Sequence, residues 1–351
     1  MQRRSFLIAS GAALTAGVEA RAQAGKASRT RYIPCEEAFS IPEVVEEARR
    51  IAGGVPSMST GLIAGPLLPL LLDLGDGRIR AMDEAGIDVH VLSLSSPGVQ
   101  NFESATAVSL MQLANDRLAA AIKAHPTRFA GLAAVAPQDP AATAKELERA
   151  VRSLGLRGAI VNSHTRGEYL DDQKFWAIFE AAEALDVPIY IHPREPSPGM
   201  AAPLSLPGFT VGWGYAVETG THALRLIARG VFDRFPKLRI ILGHMGEMLP
   251  FMLDRIDNRY RFETGLFPQG KLARLPSEYF REHFFITTSG MNFEGPLLAA
   301  IKAVGVDRVL YAVDYPFEDQ PMAVKQIDAM PLSAMDRRKV CELNAKRVFK
   351  L

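Results

Sequence analysis

Acidic and imidazole side chains close four of the apolar runs in this 351-residue chain. Glu36-Glu37 lies in the first, His192-Pro193 ends a later one, His244-Met245-Gly246-Glu247 ends the next, and Asp314 follows Val309-Leu310-Tyr311-Ala312-Val313. Two carboxylates and an imidazole brought to one place make a site for one divalent cation, and a histidine beside an acid can move protons. Each residue alone also has a plainer role. Asp314 before Tyr315-Pro316 suits a turn or a helix N-cap. A single histidine at a strand end is more often a hydrogen-bonded structural group. The joint placement carries the argument, because chance would scatter seven histidines over helices and loops. His125, His222 and His283 do fall in or beside helices and connections, and no role is assigned to them.

Residues so far apart in sequence meet only if the elements bearing them end on one face. Candidate strands span 31–39, 89–95, 129–136, 158–162, 187–192, 238–244, 284–288 and 309–314, separated by amphipathic stretches such as 141–153, 174–185, 223–227 and 296–303, with another at 334–348. Ser40-Ile41-Pro42-Glu43 has the spacing of a capping box, and Asp139-Pro140 places an acid and a proline at a helix start. Strands alternating with helices imply parallel βαβ units, and eight of them fit a (β/α)8 TIM barrel better than an open sheet. No dinucleotide-type glycine loop follows the first strand, which weakens a Rossmann alternative. Residues 41–80, rich in Gly, Pro and Leu, read as a lid-like insertion after strand one. A second irregular stretch, 196–219, holds Trp213 and follows strand five. Both belong on the face where barrel enzymes build their sites.

Bulk composition narrows the partners. Hydrophobic residues make up 48% of the chain, enough for a sizeable core, the length suits one large α/β domain or two small ones, and a net charge of +1 gives no reason to expect nucleic acid. Two cysteines, Cys35 and Cys341, are too few for a disulfide framework, though one pair is possible in an oxidising compartment. The first 24 residues combine Arg3-Arg4, an uncharged stretch from Phe6 to Val18 and Ala22-Gln23-Ala24, the three regions of a signal peptide. Arg-Arg-Ser-Phe-Leu resembles a twin-arginine export signal. The apolar part is shorter than the roughly 20 residues that span a bilayer, so no stable membrane insertion is expected after processing. The expected organisation is a signal over 1–24 and a barrel over 25–351, working in a periplasm. The competing reading is a basic, disordered N-terminus on a cytoplasmic protein.

The motifs "EEAF" at 36–39, "HPR" at 192–194, "GHMGEMLPFMLDRID" at 243–257 and "DYPFE" at 314–318 resemble the amidohydrolase superfamily. Within it they resemble the metal-dependent aromatic acid decarboxylases that act on γ-resorcylate, 2,3-dihydroxybenzoate and 5-carboxyvanillate. The likeness extends to "NSHTRGEYLDD" at 162–172 and "NAKRVF" at 344–349. The resemblance implies Glu36, His192 and Asp314 as ligands of one divalent ion, Mn2+ or Zn2+ with Mg2+ as a further option. It implies His244 as catalytic histidine, Glu247 as its supporting acid, Asp314 as proton donor, and Arg255 with Arg194 as substrate-binding groups. A homodimer or homotetramer is implied too. Many superfamily members carry His-x-His on strand one, where this chain has Glu36 and Ala38. Strand four supplies Asn162 in place of a lysine that bridges two metals, so one ion is expected. From local sequence alone, Arg255 is equally well a surface ion-pair partner of Asp254.

The expected reaction is non-oxidative decarboxylation of a hydroxybenzoate-type acid, with the ring carbon that bears the carboxylate taking a proton before CO2 leaves. The same residues support an alternative, a lactonase or amidohydrolase in which His244 activates a metal-coordinated water for attack on a carbonyl. A third reading is a periplasmic metal- or ligand-binding protein without catalysis.

Overall fold

The computed structural model describes residues 29–53, 65–267 and 271–351. The export signal expected over 1–24 lies outside the described residues, as does 54–64 in the middle of the expected lid. Strands β1 (Glu37–Phe39), β2 (His90–Leu94) and β3 (Phe129–Gly131) form one parallel sheet. A second holds β4 (Ala133–Ala134), β5 (Ala159–Asn162), β6 (Ile189–His192), β7 (Ile240–Leu242), β8 (Phe284–Thr287) and β9 (Val309–Leu310), in that order and again parallel. β3 and β4 occupy one strand position, interrupted at Leu132, whose N–H bonds Leu92 O at 2.8 Å. On the other side, Cys35 N bonds Tyr311 O at 3.1 Å and Ala38 N bonds Tyr315 O at 2.7 Å, linking the β1 and β9 segments. Eight strand positions with helical crossovers are the α/β architecture of a TIM barrel, and residues 31–351 form one unit.

All eight expected strands are present, but several ladders are shorter than the apolar runs. In the last, 309–314, only Val309–Leu310 pairs as strand. At Ala312 and Val313 the backbone bonds to side chains: Ala312 N and O both engage Thr288 Oγ1 at 3.0 Å, and Val313 N donates to Glu37 Oε1 at 3.0 Å. The barrel interior holds Val91, Ile160, Ile241, Phe285 and Leu310, together with Val348 and Phe349 of the C-terminal helix. Burying such side chains is the main source of stability, worth about 25 cal/mol per Å2 of apolar area. Cys35 and Cys341 are both buried and free.

The helices show where local signals hold. Asp139 caps Pro140–Arg152, accepting from Ala142 N at 2.9 Å. Ser40 does not cap: the helix Pro42–Ala52 starts after Ile41 with no side-chain cap, and Ser40 N is spent on Leu71 O. The described parts of 41–80 include the helices Pro42–Ala52, Leu68–Leu72 and the start of Asp76–Ala85. Arg78 fastens it to strand one, its Nη2 donating to Ala38 O at 2.7 Å and Leu70 O at 2.9 Å. Within 196–219 lie Ala201–Leu204 and a π-turn, Thr210–Gly214, that runs into Tyr215–Ala228. No helix among the described residues is long and apolar enough to cross a membrane.

Candidate metal and proton-transfer site

Parallel strands put their C-terminal ends on one face, and three expected ligands meet there. Glu36, His192 and Asp314 each offer a ligand atom within 4.8 Å of the others. Glu36 is fully buried, while the side chains of His192 and Asp314 keep 14% and 15% exposure, so the cluster opens on one side.

The donor set fits a cation. Glu36 Oε2 is saturated: Tyr190 Oη and Ser289 Oγ donate to it in short hydrogen bonds, and Thr287 Oγ1 donates at 2.9 Å. Its other oxygen, Oε1, is buried with no hydrogen-bond partner among the described residues, and so is Asp314 Oδ1. A buried carboxylate oxygen without a donor is costly unless something else satisfies it. His192 Nδ1–H donates to Pro193 O at 2.7 Å, which leaves the Nε2 lone pair 3.4 Å from Glu36 Oε1. That is the tautomer a metal-binding histidine needs. Gly243 makes room, since a Cβ there would stand 2.9 Å from Glu36 Oε1.

His244 sits beside this cluster on an unusual turn. His244, Met245, Gly246, Glu247 and Met248 all have positive φ, between 48° and 76°. Each non-glycine residue in that conformation costs on the order of 1–2 kcal/mol. The turn is wedged against β8, where a Cβ on Gly246 would come within 2.7 Å of Ile286 Cγ2, and His244 N donates to Ser289 Oγ at 3.1 Å. The result is a histidine held at Nδ1 and facing an acid across from Nε2. Nδ1–H donates to Glu247 Oε1 at 3.1 Å, and Nε2 faces Asp314 Oδ2 at 3.7 Å. Its side chain keeps 25% exposure, the most open of the group.

The charges reinforce one another. Burial works against a positive His244, but Glu36, Glu247 and the contact with Asp314 outweigh it and hold its pKa well above the ordinary value. Burial would raise Glu36, yet His244, His192 and the hydroxyls of Ser289 and Tyr190 keep it low. Burial pushes Asp314 up to about 7 against the pull of His244, and it lowers His192. A bound divalent cation favours the ionised form of every acid around it.

The two arginines differ. Arg194 is buried, with Nη1 donating to His164 O at 3.1 Å and Nη2 to Asn101 Oδ1 at 2.8 Å, while Nε has no hydrogen-bond partner among the described residues. Arg255 is exposed on the helix Leu249–Leu266 and is not among the side chains that meet at the cluster. Reading the sequence also missed the Tyr190, Thr287 and Ser289 hydroxyls. The signal for them was slight: Tyr190 lies within the apolar run of β6, and Thr287 and Ser289 lie at and just past the end of β8.

A family model described as Amidohydrolase matches residues 72–351. The chain belongs to the amidohydrolase family. It is 40% identical over 328 residues to a gamma-resorcylate decarboxylase of Polaromonas sp., covering 91% of this chain and 98% of that one. Among solved structures it is similar to a 5-carboxyvanillate decarboxylase from Novosphingobium aromaticivorans, complexed with manganese and 4-hydroxy-3-methoxy-5-nitrobenzoic acid. That similarity has a TM-score of 0.88 and 38% identity, covering 93% and 98% of the two chains. It is similar as well to a dihydroxybenzoic acid decarboxylase from Polaromonas sp. with bound manganese and the inhibitor 2-nitroresorcinol, at TM-score 0.82 and 39% identity, covering 92% and 97%. Among amidohydrolases, then, these similar chains are aromatic acid decarboxylases, and the two solved structures hold manganese.

Proposed function

We propose that this amidohydrolase is a metal-dependent, non-oxidative decarboxylase of an aromatic acid with a hydroxyl beside its carboxylate. The observation that carries the reading is the shared acid. Asp314 belongs to the ligand cluster and its Oδ2 also faces the His244–Glu247 pair, while its Oδ1 is buried with no hydrogen-bond partner among the described residues. The substrate class is supported by the two analogues bound to the similar enzymes, each of which has a nitro group, shaped like a carboxylate, next to a phenolic hydroxyl. Manganese is the proposed ion, in keeping with the carboxylate-rich donors and with those two structures.

Glu36, His192 and Asp314 would hold the ion, which when bound would supply positive charge for the carboxylate and adjoining phenol oxygen of the substrate. The protein's own groups handle the proton. Glu247 fixes Nδ1–H of His244, so Nε2 is aimed at Asp314 Oδ2, and the two groups hold a proton between them at the mouth of the cluster. Asp314 delivers it to the ring carbon that bears the carboxylate, which interrupts the aromatic system. The bond from that carbon to the carboxylate then breaks, CO2 departs, and the electron pair restores the ring. No oxidant is needed. Solvent returns the proton through the exposed edge of His244. Arg194 keeps a buried Nε–H for an anionic substrate, and Arg255 is retained as a second candidate from its match to the family motif.

The finer proposals are periplasmic location, supported by Arg3-Arg4 and Ala22-Gln23-Ala24, and a homodimer or homotetramer. Exposed Phe251, Phe262, Leu266 and Phe267 on or just after one helix fit a surface covered by a second copy. The functional test is to load the mature protein with Mn2+ and assay it for CO2 release from a panel of ortho-hydroxybenzoates and for acid release from lactones. Turnover of lactones alone would overturn the decarboxylase reading in favour of a hydrolase.

A further inference from the structure

Glu37 is the second acid of the strand-one pair and is fully buried. Its two oxygens are both used, and by an informative pair of donors. Oε1 accepts Val313 N at 3.0 Å and Oε2 accepts Tyr315 N at 3.2 Å, the amides on either side of Asp314. Those amides have no strand to pair with, because the β9 ladder ends at Leu310. Asp314 itself has φ +79°, a conformation that an L-residue keeps only when its surroundings impose it. Its carbonyl is taken by Phe317 N at 2.8 Å and Glu318 N at 3.1 Å, and Tyr315 O accepts Ala38 N at 2.7 Å. These bonds at Val313, Asp314 and Tyr315 come either from the turn itself or from the strand-one segment Glu37-Ala38.

We propose that Glu37 is a positioning residue for the metal site: its carboxylate staples the two amides flanking Asp314, holds that residue in its left-handed conformation, and so aims Oδ1 at Glu36 and His192. The adjacent acids divide the work, Glu36 as ligand and Glu37 as the setter of another ligand's geometry. The proposal rests on the ligand set given above.

The test is Mn2+ affinity of the mature protein without substrate, read from the EPR signal of free Mn2+, in a double-mutant cycle with Asp314→Ala. Glu37→Gln keeps the shape but turns an NH2 against one amide, and Glu37→Asp keeps the charge on an arm too short for both. Each is expected to weaken Mn2+ binding about tenfold in the wild-type background. In the Asp314→Ala background, each should change it by less than about twofold, because the residue through which Glu37 acts has lost its ligand atom. Should Glu37→Gln fail to fold, Glu37→Asp carries the measurement. An equal loss in both backgrounds, or no loss in either, overturns the positioning role and leaves the ligand set standing. Wild-type affinity in Asp314→Ala alone would instead refute the ligand set, and the proposal would go with it.

Discussion

Replacing Tyr190 with phenylalanine removes one oxygen from the cradle that holds Glu36. The ring remains, so the buried packing of β6 against its neighbours is preserved. Glu36 Oε2 then keeps two of its three donors, Thr287 Oγ1 and Ser289 Oγ. A hydrogen bond to a charged acceptor contributes roughly 1.5–3 kcal/mol, and the lower end applies because two donors remain. That corresponds to about a tenfold weaker hold on the metal, since an under-saturated Oε2 is free to rotate and compete with Oε1 for the ion. The assay is Mn2+ titration of the metal-free protein, with thermal unfolding of the same sample to show that the fold is intact. Ser289→Ala should give a loss of similar size, and the Tyr190→Phe, Ser289→Ala double variant a larger one. Mn2+ affinity within twofold of wild type in both single variants would refute the idea that the hydroxyls orient Glu36.

Three further outcomes are expected. Glu36→Gln, His192→Ala and Asp314→Asn should each lower bound manganese by elemental analysis and abolish CO2 release, and full occupancy in all three would refute the cluster. Arg194→Met and Arg255→Met should retain the metal while lowering kcat/KM for a hydroxybenzoate about ten- to a hundredfold, as expected when a charge-assisted contact is lost; unchanged kinetics removes that arginine from the site. Burial lowers the pKa of His164 and of His222 to about 3, from an unfolded value of 6.5. Both are neutral in the folded protein, so their contribution is complete above pH 6.5 and is lost as pH falls towards 3, at up to about 1.4 kcal/mol per pH unit for each. A urea-unfolding midpoint that stays level from pH 6.5 to 4 would contradict this.

Much of the architecture is legible because β-branched and aliphatic runs bounded by Gly, Pro and acids leave few alternatives to buried parallel strands. The ends of those strands are also legible, since a carboxylate or imidazole closing an apolar run stands out. At the start of the expected lid the periodicity is legible, since Val44, Val45 and Ala48 give Pro42–Ala52 an ordinary buried face, while the Gly- and Pro-rich 54–64 lies outside the described residues. Ser104–Ala124 is hard to read, because its many alanines blur the polar and apolar faces. The support of the site is the least legible part. Tyr190, Thr287 and Ser289 are hydroxyl residues in or beside apolar strands, and nothing local says that three of them converge on one oxygen of Glu36. The left-handed turn at 244–248 is equally hidden, because only Gly246 among its residues favours positive φ.

Decarboxylation in D2O tests the central claim most directly. The Mn2+-loaded mature protein is incubated with an ortho-hydroxybenzoate, and the product is examined by NMR and mass spectrometry while CO2 is trapped. If Asp314 and His244 deliver a solvent-derived proton to the ring, each CO2 released is matched by one deuterium at the carbon that carried the carboxylate, and His244→Asn suppresses both together with the metal still bound. No CO2 from any ortho-hydroxybenzoate, with lactone ring-opening by the same preparation, would contradict the account.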